Sequence, residues 1–359
     1  MIKLNENIKK MLHGNREVSF RYDLLNYDEV KIGELTSLSG TLGLNSLAQI
    51  KRKGTFQFKE NELQDVDWLN DKVRPVFILN KTYEFPLGVF MISSPTRAIS
   101  KSGIVRDVEC FDTSLVLEED KFDSRYRIIK GTNYVTAITQ IINSAGIWKV
   151  NIPHIDLTIK TDREFEIGTS KLEAVNNLLN EINYTSIWVD EFGNFTANPY
   201  ILPNEREIEY TYRNDDMSII LPDTAVEEMD LFSVPNKWVV VATNPETDPL
   251  VSRYTNDNPL SPTSTVNRRR NIVDYREISD IANQEVLDDY VRRIAYEASN
   301  VYGKFIFETS IMPHHTYMDC IYCEHTGLGI ANKYIETSWE MELKAGGKMT
   351  HNTRRVIQI

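Results

Sequence analysis

Gly54-Thr55-Phe56-Gln57-Phe58-Lys59 places an aromatic ring at every second position. That is the period of an extended strand with one face buried and the other wet. Upstream, Glu17-Val18-Ser19-Phe20-Arg21-Tyr22 alternates in the same way, and Leu35-Thr36-Ser37-Leu38-Ser39-Gly40-Thr41, between the two, is rich in turn formers. Further β-favouring runs stand at Pro75-Val76-Phe77-Ile78-Leu79, at Leu87-Gly88-Val89-Phe90-Met91-Ile92 and from Val105 to Phe111. Short strands joined by turns predict a small barrel or sandwich over residues 1–112.

The pattern then changes. Val135, Ile138, Ile141, Ile142 and Ala145 recur at helical spacing. A second helix is predicted after Ser170, which can cap its first turn with Glu173 reaching back, and Leu172, Val175, Leu178, Leu179 and Ile182 form its apolar stripe. Ser186-Ile187-Trp188-Val189 and Phe195-Thr196-Ala197 flank Asp190-Glu191-Phe192-Gly193-Asn194, a hairpin signal in which Gly193 is free to take a positive φ. Residues 113–200 are therefore expected to form an α+β module with helices on a small sheet.

Strand character returns after residue 200, notably in Lys237-Trp238-Val239-Val240-Val241-Ala242, followed by a polar loop from Thr243 to Asn267. Leu287, Tyr290, Val291, Ile294, Ala295 and Ala298 mark a third amphipathic helix, and strands close the chain at 304–310, 318–323 and 334–343. The order predicts a β-rich, multidomain α+β protein in which one β framework is used twice. The second barrel is assigned residues 201–265 and 310–359, with a helical insert at 266–309.

The 359 residues carry 52 acidic and 40 basic side chains, a formal net charge of −12. That balance disfavours a protein whose task is gripping nucleic acid, which needs Lys and Arg against phosphates. The basic run Arg268-Arg269-Arg270 reads as a solvated loop or ion-pair site. Three cysteines, Cys110, Cys320 and Cys323, are too few and too odd for a disulfide-built domain, so a reducing cytoplasm is expected. No stretch reads as an export signal or a membrane span.

The sharpest local candidate for chemistry is His314-His315-Thr316-Tyr317-Met318-Asp319-Cys320-Ile321-Tyr322-Cys323-Glu324-His325, with a C-x-x-C pair and three histidines. A structural zinc site needs a turn that brings both thiolates to one point. Ile321-Tyr322 supplies none, and positions three apart in a strand face opposite ways, so strand residues are preferred to metal ligands. His13, His154 and His351 are scattered, with no nucleophile elbow, zinc-protease helix or phosphate loop around them. The acid pairs Glu119-Asp120, Asp215-Asp216 and Glu227-Glu228 are the paired carboxylates a glycosidase would need, but in an acidic chain they read as solvated surface. Trp188, Trp238 and Trp339 sit among apolar neighbours and are expected in cores, while Trp68 and Trp148 complete a dispersed set rather than a sugar platform. No catalytic, cofactor or metal residue is assigned.

Several stretches resemble one family. They are Val73-Arg74-Pro75-Val76, Phe85-Pro86-Leu87-Gly88-Val89-Phe90-Met91-Ile92 and Val108-Glu109-Cys110-Phe111-Asp112, then the capped helix and hairpin from Ser170 to Asn198, Ile281-Ala282-Asn283-Gln284-Glu285 through Ala298-Ser299, and Thr337-Ser338-Trp339-Glu340-Met341-Glu342-Leu343-Lys344-Ala345-Gly346-Gly347. Together they resemble the baseplate hub or tail-tip proteins of prophages, contractile phages and phage-tail-like bacteriocins over nearly the whole chain. The resemblance implies two barrels similar to tail-tube subunits, plus smaller α+β domains. It further implies a homotrimer whose six barrels form a pseudo-sixfold ring between a hexameric tail tube and a trimeric spike or tip protein, with other baseplate proteins around it. Assembly in the bacterial host cytoplasm and a final place at the tail tip follow, with neither cofactor nor membrane insertion. The acidic balance suggests a channel lined in part by carboxylates, through which DNA or a tape-measure protein passes without sticking. Two other expectations are a tail-associated cell-wall hydrolase, which lacks an appended catalytic domain here, and a receptor- or carbohydrate-binding module at the tip.

Overall fold

The protein is seen in a computed structural model that describes residues 1–60, 66–101, 103–215, 218–230, 232–243, 248–278, 281–300 and 303–359. The first 112 residues supply helix α1 (Glu6–His13) and strands β1 (Val18–Leu25), β2 (Lys31–Leu35), β3 (Ser37–Asn45), β4 (Arg52–Lys59), β5 (Lys72–Leu79), β6 (Tyr83–Pro86), β7 (Phe90–Ser100) and β8 (Gly103–Asp112). On β4 the alternation is realised: Phe56 and Phe58 are buried and Lys53 and Thr55 are exposed. The Phe56 ring lies against Gly40 and Gly54, where an added Cβ would come within 2.8 and 2.7 Å of it. Close approach therefore requires glycine at both positions.

Residues 35–41, turn-rich in sequence, are strand instead. β2 runs into β3 across Thr36, and a register slip between Ser37 and Ser39 bends the strand without ending it. Small side chains there fit the bend and the ring beside it. This continuity closes the barrel. In sheet order the strands run β3-β4-β8-β7-β5-β1-β2, each antiparallel to its neighbour. The last strand leads straight into the first. Tyr22, Phe56, Phe58, Phe77 and Phe90 fill the space enclosed.

The α+β insert comprises α2 (Leu115–Glu119), β9 (Tyr126–Ile128), α3 (Tyr134–Ser144), β10 (Val150–Asn151), β11 (Arg163–Phe165), α4 (Lys171–Glu181), β12 (Trp188–Val189) and β13 (Phe195–Thr196). Ser170 Oγ accepts a hydrogen bond from the Glu173 amide at 3.1 Å, as an N-cap should, and itself donates to Glu118. The predicted hairpin is present, with β12 antiparallel to β13 and Gly193 at φ +86°. α3 and α4 share a core of their own with Ile187, Val189 and Phe195.

The remainder forms β14 (Tyr210–Arg213), β15 (Val226–Met229), β16 (Lys237–Ala242), β17 (Leu250–Thr255), α5 (Thr265–Arg268), β18 (Val273–Ile278), α6 (Gln284–Ser299), β19 (Gly303–Ser310), β20 (Cys320–His325), β21 (Ile330–Glu342) and β22 (Lys348–Arg355). Grouping 237–265 with the closing strands, and 266–309 as a separate insert, is corrected by the pairing. β16 pairs with β17 and β18 in a sheet of its own, and α6 covers that sheet by packing Leu287, Val291, Ile294 and Ala295 on Trp238, Val240 and Ala242. β19, by contrast, belongs to the barrel, between β15 and β22. Alternation tells that a strand buries one face, not which sheet it joins.

The second barrel runs β15-β19-β22-β21-β20, again antiparallel throughout. In chain order these are the first, second, fifth, fourth and third strands, as are β3, β4, β8, β7 and β5. One topology is used twice. Closure differs: β14 pairs with β20 directly and in parallel, where the first barrel interposes β1, and the chain continues from β14 to Ile220, which bridges Thr309. The amino-terminal segment seals this side. The Ile2 amide donates to His314 O at 2.9 Å, His13 and the Tyr210 hydroxyl are 2.5 Å apart, and Leu12 joins the barrel core. β21 also pairs with the outer edge of β3, so both barrels lie in one 14-stranded sheet over one continuous core.

Candidate functional site

The histidines flagged in sequence part company in the structure. His325 caps the turn after β20, accepting from the Leu328 amide at 3.2 Å, and His154 is exposed beside Asp156. His314 and His315 are buried in the loop before β20, and β22 brings His351 to them from the far end of the chain. Glu336, on β21, lies between His315 and His351 and is fully buried.

The polar atoms of His315, Glu336 and His351 are each matched. His351 Nδ1 lies 2.5 Å from Glu336 Oε1 and its Nε2 lies 2.8 Å from the Thr309 hydroxyl. His315 Nδ1 bonds the other oxygen of Glu336 and lies 3.2 Å from Asp319 Oδ2, while its Nε2 meets the Tyr212 hydroxyl at 2.5 Å. Asp319 also accepts from the Thr316 amide and hydroxyl at 2.8 and 2.9 Å, and pairs with the Met1 amino group at 2.7 Å. His314 stands beside this network with neither ring nitrogen bonded among the described residues.

Burial alone would neutralise these groups, and their mutual charges decide which resist. Burial pulls His315 down, but Glu336 and Asp319 outweigh it and raise its pKa to about 9. Burial pushes Glu336 and Asp319 up, yet the facing imidazoles, and for Asp319 the Met1 amino group, hold both below their ordinary values. Burial prevails at His351 and His314, whose pKa values fall. The state at neutral pH is therefore His315 as imidazolium between two carboxylates, with neutral His351 donating from Nδ1 to Glu336.

His315, Glu336 and His351 are also a donor set for a divalent cation. Ligand atoms about 2.1 Å from one tetrahedral ion lie roughly 3.3 Å apart. Here each imidazole instead touches a different oxygen of Glu336 at hydrogen-bond distance, so the geometry is that of shared protons and not of a metal centre. The cluster ties β14, β19, β21, β22 and the loop before β20 into one register.

The other candidates fall separately. Cys323 belongs to the barrel core, whereas Cys320, also buried, points away from that core, the divergence expected of a strand. Burial raises both thiol pKa values. Cys110 is buried on β8. Asp120 pairs with Lys171 at 2.5 Å and Glu228 with Lys304 at 3.2 Å, while Asp216 lies outside the described residues. Arg268 donates to Val234 O at 2.6 Å and Arg270 stacks 5.3 Å over Phe232, so the basic run braces a loop. Trp238 and Trp339 are buried as expected, Trp188 stacks on Tyr317 with ring centroids 5.3 Å apart, and Trp68 faces Arg106. Trp148 is 76% exposed. Sequence reasoning named His315 and His351 but missed Glu336 and the pairing that joins them, because their spacing follows no local motif.

No family model matches the sequence, and no curated protein matches it. Solved structures do. A tail protein from Neisseria meningitidis MC58 superposes with a TM-score of 0.68 at 12% identity, covering 94% of this chain and 96% of its own. The 43 kDa tail protein of prophage MuSo2 from Shewanella oneidensis gives 0.63 at 10% identity, covering 94% and 98%. An Escherichia coli component of the type VI secretion system, described as structurally similar to T4 bacteriophage tail proteins gp27 and gp5, gives 0.54 at 9% identity over 96% of this chain and 78% of that one.

Proposed function

From a chain with the β-rich, multidomain fold of phage and prophage tail proteins, we propose a structural hub of a phage tail or phage-tail-like particle. Three protomers form a ring that joins a hexameric tail tube to a trimeric spike or tip. The observation that carries this reading is the repeated barrel: β3-β4-β8-β7-β5 and β15-β19-β22-β21-β20 have one strand order within one chain. A protomer with two equivalent barrels converts threefold into sixfold symmetry without a second gene product, because closed rings need only repeated, matching interfaces. The shared β3–β21 pairing fixes the barrels relative to each other, as a symmetry adaptor requires. The role is mechanical, the partners are tube, spike and baseplate proteins, and carboxylates line part of the lumen.

Light scattering on the purified protein, across concentration and with its tube partner added, tests this. A mass of three 41.5 kDa chains, alone or on adding partner, is expected. A persistent monomer indifferent to tail proteins overturns it.

A further inference from the structure

Where the two barrels, the α+β insert and α6 meet, a cleft of about 410 Å³ opens. That volume is in the range of small-ligand sites. Lys51, Tyr200, Arg293, Glu297, Tyr317 and Arg354 are among its walls. In a chain with twelve more acidic than basic side chains, this wall carries three cations against one carboxylate.

The cations are unevenly compensated, Arg293 also donating from Nη1 to Tyr184 O at 2.7 Å and Lys51 Nζ lying 5.6 Å from the centre of the Tyr317 ring. Lys51 is only 5% exposed, and its Nζ donates to two backbone carbonyls, of Ser46 and Ala48, both at 3.1 Å, with no carboxylate in contact among the described residues. Burial, with a contribution from Arg293, lowers its pKa to about 8 against the opposing pull of Asp112. Arg293 is the one cation with an ion pair, Nε to Glu297 at 3.0 Å, and its guanidinium lies 4.5 Å over the Tyr200 ring. The Arg354 side chain has neither hydrogen bond nor ion pair among the described residues. The Tyr200 hydroxyl is buried and bonds nothing among the described residues. Converging like charges and an orphaned buried donor are costly unless something anionic completes them.

We propose that this cleft binds a small oxyanion of the phosphate or carboxylate class, held by Lys51, Arg354 and the Tyr200 hydroxyl, with Arg293 completing the positive field. Charge-assisted bonds from these groups match tetrahedral and planar oxyanions alike. Because Lys51 precedes β4, Arg293 sits on α6 and Arg354 on β22, the bound anion bridges the first barrel, the helix that covers the β16–β18 sheet, and the second barrel. It acts as a rivet added to the β3–β21 ladder that already joins the barrels.

The test is calorimetric titration of the full chain with sodium phosphate and, separately, with tricarballylate, near neutral pH and at ionic strength held constant with sodium chloride. Saturable one-site binding is expected, weakened at least about tenfold by Arg354→Met or Lys51→Met, untouched by Lys53→Met on the exposed face of β4, and declining as pH passes about 8. Binding of phosphate marks a free or phosphoryl ligand. Binding of tricarballylate alone marks a site for carboxylate groups. Should Lys51→Met fail to fold, Arg354→Met decides, since that side chain makes no hydrogen bond or ion pair among the described residues. Absence of saturable binding by either anion, or binding indifferent to Arg354→Met, overturns the proposal.

Discussion

The two barrels share a strand order and differ in what they enclose. The first is filled with rings: Phe56 and Phe58 lie 5.8 Å apart, and Tyr22 sits edge-on to both. The second stacks Phe305 on Phe307 and Phe307 on His351, and buries His315, Glu336 and Asp319 with them. An apolar interior specifies a fold by volume and tolerates exchange, whereas a buried charge network specifies it by partner. Topology therefore constrains backbone pairing, and each copy has solved its interior with different chemistry. The network also stands where the second barrel closes without a counterpart to β1, next to β14 through Tyr212. Directional bonds hold there what a further strand holds in the first barrel.

Isosteric replacement breaks this comparison most sharply. Glu336→Gln keeps the volume but leaves His315 without its main counter-charge, and is expected to cost about 3–5 kcal/mol in urea unfolding. A cost below about 1 kcal/mol would show that the network is worth no more than a surface pair.

The pH response follows from the same groups. His315 has its pKa raised from 6.5 to about 9 on folding, so the stability it contributes is fully present below about pH 6.5 and is lost as pH rises through 9. A loss on the order of 3 kcal/mol between pH 6.5 and 10 is expected from a shift of that size. The Glu336→Gln chain should lose markedly less over the same interval. Glu336 and Asp319 have lowered values and act oppositely: their contribution is present above the ordinary carboxylate range and is lost as pH falls through their depressed values.

The smallest effect is expected in the first barrel. Phe58→Leu, fully buried among rings, should cost no more than about 1.5 kcal/mol if that interior is set by volume alone. A value equal to that of Glu336→Gln would erase the distinction between the barrels.

Much of this was legible in the letters. The alternation at 54–59, the Ser170 cap, the Gly193 hairpin and the α6 stripe each depend on neighbours a few residues away, and each stands where local periodicity put it. The repetition of a β framework was readable as element order, and the opposed Cys320 and Cys323 followed from strand geometry alone. What only the tertiary structure decided depends on pairing across long sequence separations. Whether residues 35–41 turn or bend rests on the Phe56 ring packed against Gly40. Whether β16 joins a barrel or its own sheet rests on where α6 buries its stripe. Glu336 between His315 and His351, and Lys51 beside Arg293 and Arg354, are brought together by three-dimensional closure, because a side chain's charge is written in the sequence while its partner is chosen by the fold.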